Sequence, residues 1–281
     1  MTGLRSVACI RRLADDHEVS VGAEEIVPLA SVGKLLLLGE VARLISDGSL
    51  SPDERLPIRD ADRALGGTGL LARLSPSSWS VQDLVTAVAS VSDNAATNVL
   101  LRAVTLDAVQ SLARDSGMRN TTVHDHIRAH RGPGTPPQFA TGTVRELAAL
   151  LADVALERFV SPGTSGLLRS WLQLNVDRSL VADGIAEDGE WPEVANKTGT
   201  DRGVRADAGI ARGNAVVVYA VVAVFPPGAD GDAVRELRRW GTIVREIALE
   251  DPDVEGRPAA GHRRSVSRAS SPAATRSSSM N

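Results

Sequence analysis

The chain is predicted to be α+β, with an antiparallel sheet flanked by helices and a separate all-helical lobe. Three observations carry this: strand-like apolar runs lie near both ends, helical segments fill the middle, and 281 residues with 43% hydrophobic content suffice for one enzyme-sized, two-lobed unit. The ends, residues 1–30 and 155–249, are read as the α/β lobe and residues 31–154 as the helical one, together a single domain over 1–249. Residues 250–281, rich in Ser, Ala, Arg and Pro without periodicity, are read as a disordered tail. A site is expected in the crevice between the lobes.

At the N-terminus, Val7 to Leu13 and Val19 to Pro28 read as a hairpin broken by Ala14-Asp15-Asp16-His17. Leu35-Leu36-Leu37-Leu38 with Val41, Leu44 and Ile45 is apolar almost all round, the pattern of a buried helix, and Ser46-Asp47-Gly48 stops it. Residues 49–78 are loop-rich. Ser80 with Asp83 has the spacing of a helix N-terminal capping box, and the helix it opens runs into Ser92-Asp93-Asn94. Further helices are expected over Ala95 to Ala103, from Thr105 to Gly117, from a Thr143/Glu146 cap to near Phe159, and over Leu167 to Leu174. Val194 to Thr200, Ala208 to Ala211 and Ala215 to Phe225 read as strands, the last suited to the centre of a sheet covered on both faces. Asp232 opens a final amphipathic helix to Leu249.

A net charge of −4 suggests neither nucleic acid nor an anionic membrane surface as a partner. No apolar run is long and uncharged enough to cross a bilayer. The first residues carry Arg and Asp where a signal peptide needs an unbroken apolar run, and Arg11-Arg12 is followed by Leu-Ala-Asp-Asp, so a cytoplasmic protein is expected. Cys9, alone in the chain, reads as a small buried hydrophobe. A monomer acting on a small molecule is expected, without cofactor or metal.

The chemistry is concentrated in Ser31-Val32-Gly33-Lys34, at the start of the buried helix. Residues three apart share a helix face, so Ser31 and Lys34 are expected to meet. Burial lowers a lysine pKa, which lets Lys34 take the proton of Ser31, while a helix N-terminus favours the developing alkoxide. Composition sharpens this reading. The chain has two lysines, Lys34 and Lys197, against 29 arginines. Where a chain so biased keeps Lys, Arg does not serve: arginine does not lose its proton and is a wide fork rather than a compact charge.

Three motifs stand in order: Ser31-Val32-Gly33-Lys34 entering a helix, Ser92-Asp93-Asn94 between helices, and Lys197-Thr198-Gly199 on a strand. In this order and on these elements they resemble the signature of serine β-lactamases and penicillin-binding proteins. Ala95-Ala96-Thr97-Asn98 looks like the class A continuation of the second motif with one Ala displaced. Thr200-Asp201-Arg202-Gly203-Val204-Arg205 is similar to the class A turn that brings in an arginine, and the resemblance spans about residues 5 to 249. It implies Ser31 as nucleophile, Lys34 as base, and Ser92, bonded between Lys34 and Lys197, as relay of the proton to the leaving group. It further implies an oxyanion hole from the N–H groups of Ser31 and Thr200, Asn94 as a holder of the acyl side-chain amide, and Lys197, Thr198, Gly199 and Arg205 around a substrate carboxylate.

The departures are as informative. Class A enzymes carry a water-activating glutamate on an omega loop, whereas the segment from Thr121 to Phe139 holds none; the equivalent position falls near Ile127, and the loop is short. Asp125 is the nearest carboxylate in sequence. Tyr219, the single tyrosine, lies within a strand run and is no substitute. His124, Asp125, His126 and His130 read as a solvated loop rather than a metal site, and Gly163-Thr164-Ser165-Gly166 has the wrong spacing for a lipase elbow. Three functions follow: a β-lactamase-like serine hydrolase acting on a carboxylate-bearing β-lactam, amide or ester through a Ser31 acyl-enzyme; an acyltransferase or esterase of small-molecule biosynthesis with the same fold; and a non-catalytic ligand-binding homologue.

Overall fold

A computed structural model describes residues 3–15, 17–63, 67–186 and 191–250. The tail expected from residue 250 lies, beyond that residue, outside the described part, as does Asp16 of the first turn. The chain opens with the expected hairpin, β1 (Arg5–Arg12) and β2 (Glu18–Val21), paired from Ala8↔Val21 to Arg11↔Glu18. Its second apolar run divides: β3 (Val27–Pro28) leaves for a small second sheet. A 3-10 turn (Ala30–Gly33) leads into α1 (Lys34–Ser46), whose residues from Lys34 to Ala42 are all buried.

Then come β4 (Arg55–Pro57), β5 (Ser78–Ser80), α2 (Val81–Val91), α3 (Asn94–Val104) and α4 (Leu106–Asp115). They are followed by β6 (Thr122–Val123), β7 (Ala140–Gly142), α5 (Val144–Ala155) and α6 (Pro162–Leu172). Polar side chains start these helices, at Ser80 and Thr143 as the sequence predicts and at Asp93 besides. Ser80 accepts from the Asp83 amide, Asp93 from that of Ala96 and Thr143 from that of Glu146, each cap contributing about 1 kcal/mol. The helix after Thr143 stops at Ala155, four residues short of Phe159, and α6 starts at Pro162, earlier than the Leu167 expected, because Ser161 caps it and proline suits its first turn.

The C-terminal part supplies α7 (Val181–Ile185), β8 (Glu193–Asp201), β9 (Val204–Arg212), β10 (Val216–Val224) and α8 (Asp230–Leu249). The main sheet is antiparallel in the order β2-β1-β10-β9-β8, so the two chain ends meet at its centre and β8 is an edge. In β10 the side chains alternate between two cores. Val218, Ala220 and Val222 face the core built with α1 to α6, while Val217, Tyr219 and Val221 face α7 and α8. Helix α5, placed by the sequence in the helical lobe, packs against β1, β9 and β10.

One polar network ties the outer face of the sheet to the segment before β8. Asp207 on β9 accepts from the amides of Val181 (3.0 Å) and Ala182 (3.3 Å), from Asn196 Nδ2 (2.8 Å) and from Tyr219 Oη (3.3 Å). Asn196 Oδ1 in turn accepts from Asn175 Nδ2 at 3.0 Å. Burial pushes the Asp207 carboxyl up to about 7 against the donors that favour its charge. Asp207→Ala strips buried donors of their acceptor and is expected to cost roughly 3 kcal/mol, seen as a fall of roughly 6–12 °C in thermal midpoint. Asp207→Asn keeps an acceptor oxygen and should lose less; equal losses in the two variants would contradict the hydrogen-bond account.

Candidate active site

Ser31 is set by backbone geometry that its neighbours impose. Ala30 takes φ +46, a left-handed conformation that costs an alanine about 1–3 kcal/mol and recurs at functional sites. Ser31 follows in the 3-10 turn, where residues three apart lie one above the other, and Lys34 is the first residue of α1. Ser92 is also left-handed, at φ +57, and ends α2. The edge strand comes in close. A Cβ on Gly199 would sit 2.8 Å from Leu29 O, 2.9 Å from Val32 N and 3.0 Å from Ser31 N, all backbone atoms, so only glycine lets β8 pass the turn bearing Ser31.

Lys34 is fully buried, and its Nζ lies 2.7 Å from Ser92 O, 3.0 Å from Ser92 Oγ and 2.9 Å from Asn94 Oδ1. The amine donates to all three, to Ser92 O, to Ser92 Oγ and to Asn94 Oδ1. Burial, reinforced by the charge of Lys197, holds the Lys34 pKa well below its ordinary value against the opposing pull of Asp93. Among the described residues no hydrogen bond fixes the Ser31 hydroxyl.

Lys197 is equally buried, and its Nζ donates to Thr198 O at 3.0 Å. Desolvation lowers its pKa to about 8, with Asp177 and Asp207 pulling the other way, so it stays largely protonated at neutral pH. The relay between two lysines implied for Ser92 is half present: the serine touches Lys34, and among the described residues no hydrogen bond joins it to Lys197. Asp177 is the carboxylate facing this strand. Burial would raise its pKa, but the Ser179 hydroxyl and amide, the Thr198 hydroxyl and the charge of Lys197 outweigh it and keep Asp177 ionised below the ordinary range. The Asn175 side chain fixes the Asp177 backbone, donating to its carbonyl at 3.0 Å and accepting from its amide at 3.3 Å.

Two loops close over the turn at Ser92. Asp93 accepts from the amides of Leu70 (2.5 Å) and Leu71 (2.8 Å), and Gly69 has no room for a Cβ, which would lie 2.5 Å from the Asp93 Cα. Thr68 donates its hydroxyl to Ser92 O at 2.7 Å. On the other side, Asn98 clamps the backbone of Ile127, donating to its carbonyl at 2.9 Å and accepting from its amide at 2.8 Å. Asp125 is buried and spent on its own loop, accepting from Arg128 at 2.5 and 2.9 Å and from Arg131 at 3.0 Å. His124 contacts the Thr141 hydroxyl at 2.7 Å.

Two cavities meet at Ser31, Thr68 and Thr200. One, of about 290 Å³, is lined also by Asn94, Ile127, Arg128 and Arg131. The other, of about 180 Å³, is lined by Ser92, Asn175, Asp177 and Thr198. A larger hollow of about 680 Å³ between α1, α4 and α5 lies away from these residues. The predicted residues Ser31, Ser92, Asn94, Thr198 and Thr200 therefore share one cleft, with Lys34 and Lys197 buried beneath it and Gly199 at the crossing point. Arg205, expected around a substrate carboxylate, is engaged elsewhere in this structure. It lines neither cavity; its guanidinium pairs with Asp230 at 2.5 Å and lies 5.7 Å from the Phe225 ring centre. Sequence reasoning missed Asp177 and Thr68, the one in a mixed stretch and the other in a breaker-rich one, both without a motif.

Residues 3–245 match the profile of the beta-lactamase enzyme family. The beta-lactamase regulatory protein BlaB of Streptomyces cacaoi is 25% identical over 296 residues, spanning 87% of this chain and 94% of its own. A beta-lactamase of Sphaerobacter thermophilus superposes with a TM-score of 0.79 at 25% identity, covering 89% of this chain and 94% of that one. PBP-A shares the fold with a TM-score of 0.78 at 22% identity, over 88% and 90% of the two chains. With three motifs on one cleft and a profile matched over most of its length, the chain belongs to the beta-lactamase enzyme family.

Proposed function

We propose that the protein is a serine acyl-transfer enzyme in which Ser31 takes an acyl group from a β-lactam, amide or ester. The observation that carries this reading is the fully buried Lys34, three residues on from Ser31, hydrogen-bonded to Ser92 and with its pKa held well below the ordinary value by burial. Ser31 Oγ attacks the carbonyl carbon and gives its proton to Lys34; the carbon–leaving-group bond breaks, and the proton passes along Ser92 to the departing nitrogen or oxygen. The N–H groups of Ser31 and Thr200 receive the oxyanion, supported by the close approach of β8 to the turn.

The second half of the reaction is the slow one for water. Ile127 stands in the cavity beside Ser31, where a general base would be needed, and Asp125 is committed to two arginines. This favours an acyl-enzyme that waits for a better nucleophile, such as an amine, over rapid hydrolysis. A protein that keeps the acyl group would also report the presence of its donor, and the name of the Streptomyces relative as a regulatory protein fits that second reading.

Three measurements test this. Intact-mass analysis after incubation with penicillin G or an activated ester should show one adduct on Ser31, absent in Ser31→Ala; an adduct of equal yield in that variant overturns the assignment. Ile127→Glu places a carboxylate on the clamped loop and should speed deacylation roughly tenfold or more, with acylation little changed; no gain would mean that something other than a missing base limits release. Lys197 has a pKa of about 8, so if its charge assists acylation the rate should fall as pH rises through that value. A flat profile to pH 10 would show that the charge of Lys197 is not used.

A further inference from the structure

The two halves of the cleft differ in charge. The half lined by Ser92 and Thr198 has one ionisable side chain in its wall among the described residues, Asp177. Lys197 lies behind that wall, fully buried, and Arg178, next in the chain, is absent from the lining. Arg205, the cation that would draw an anion there, is held by Asp230 and Phe225. The opposite half carries two cations, Arg128 and Arg131, both paired with Asp125, together with one carboxylate, Asp201.

Asp177 is a built feature and not a loose surface acid. Its backbone is pinned by buried Asn175, which is bonded to Asn196 and through it to Asp207 in the sheet, and its carboxylate takes the Ser179 amide and hydroxyl at 3.1 and 2.6 Å. Ser92 marks the same half as the one through which the leaving group departs. We propose that this half receives a positively charged group, an ammonium or guanidinium on the leaving-group side of the substrate, in place of the carboxylate expected from the sequence. A cavity of about 180 Å³ has the volume of about six waters in the liquid, room for a short alkylammonium. The inference rests on Ser31 as the acylated residue.

The test uses aryl esters of one acyl group whose leaving phenols are tyramine, 4-hydroxybenzyl alcohol and 4-hydroxybenzoate, with Ser31 acylation followed by intact mass. At low salt the tyramine ester should react roughly tenfold faster than the hydroxybenzoate ester, with the neutral ester between them and the spread shrinking as salt is added. In Asp177→Asn the ratio of tyramine to hydroxybenzoate rates should fall toward one. A hydroxybenzoate ester that reacts fastest, or a preference for tyramine that survives in Asp177→Asn, overturns the proposal. If no ester acylates Ser31, the reading of Ser31 fails by itself. The charge preference is then read from calorimetric titration of the Ser31→Ala protein with tyramine and with 4-hydroxybenzoate, where tighter binding of the benzoate refutes it.

Discussion

Two amines taken out of water close enough to feel each other's charge are the constraint around which the rest of this protein is arranged. A buried ammonium is costly unless it is paired or hydrogen-bonded, and among the described residues neither Lys34 nor Lys197 has a carboxylate in salt-bridge contact. The cost is met in two ways. The Lys34 pKa is held well below its ordinary value, and its Nζ is enclosed by Ser92 and Asn94, which requires the left-handed Ser92 and an Asp93 that anchors the neighbouring loop. Lys197 keeps more of its charge, with Asp177 and Asp207 at a distance and Thr198 O in contact. Without the glycine at 199 the strand carrying Lys197 would be pushed off the turn carrying Ser31, and the two amines would separate.

Much of this was legible in the sequence, because the features concerned are local. Ser80 and Thr143 cap helices through amides three positions ahead, and β10 announces its place by an apolar run that only a doubly covered strand tolerates. The pairing of two lysines against a background of arginine also pointed to both buried amines. What escaped depends on partners distant in sequence. Arg205 sits on the expected strand, and its guanidinium pairs with Asp230 at the start of α8 and lies over the Phe225 ring, partners that no local pattern announces. Asp177 follows no pattern; it becomes a wall of the site because Asn175 is drawn to Asn196 and the strand brings Thr198 alongside.

The loop from His124 to Phe139 is held by its own side chains and by α3. Asn98 holds Ile127 by both its amide and its carbonyl, and Asp125 gathers Arg128 and Arg131 from its own loop. The backbone at Ile127 is therefore placed as firmly as a catalytic residue would need. An isoleucine there neither orients nor deprotonates a water, and its side chain packs on the main core. The absence of a base at this position is thus a property of one side chain on an ordered segment.

The charge of the cleft then bears on what completes the reaction. A group held as a cation by Asp177 has its nitrogen lone pair occupied by a proton, so it cannot itself attack the acyl-enzyme. If the second substrate is an amine that binds through this half, it must carry two basic centres, one protonated beside Asp177 and one neutral near Ser31. If instead the cation belongs to the leaving group, its departure empties the half beside Ser92, and the next nucleophile enters where Ser92 and Lys34 can receive its proton. On the proposed mechanism the proton taken from Ser31 departs with the leaving group and the nucleophile's proton restores the serine, both by way of the same buried amine, so a lowered Lys34 pKa serves attack and release alike.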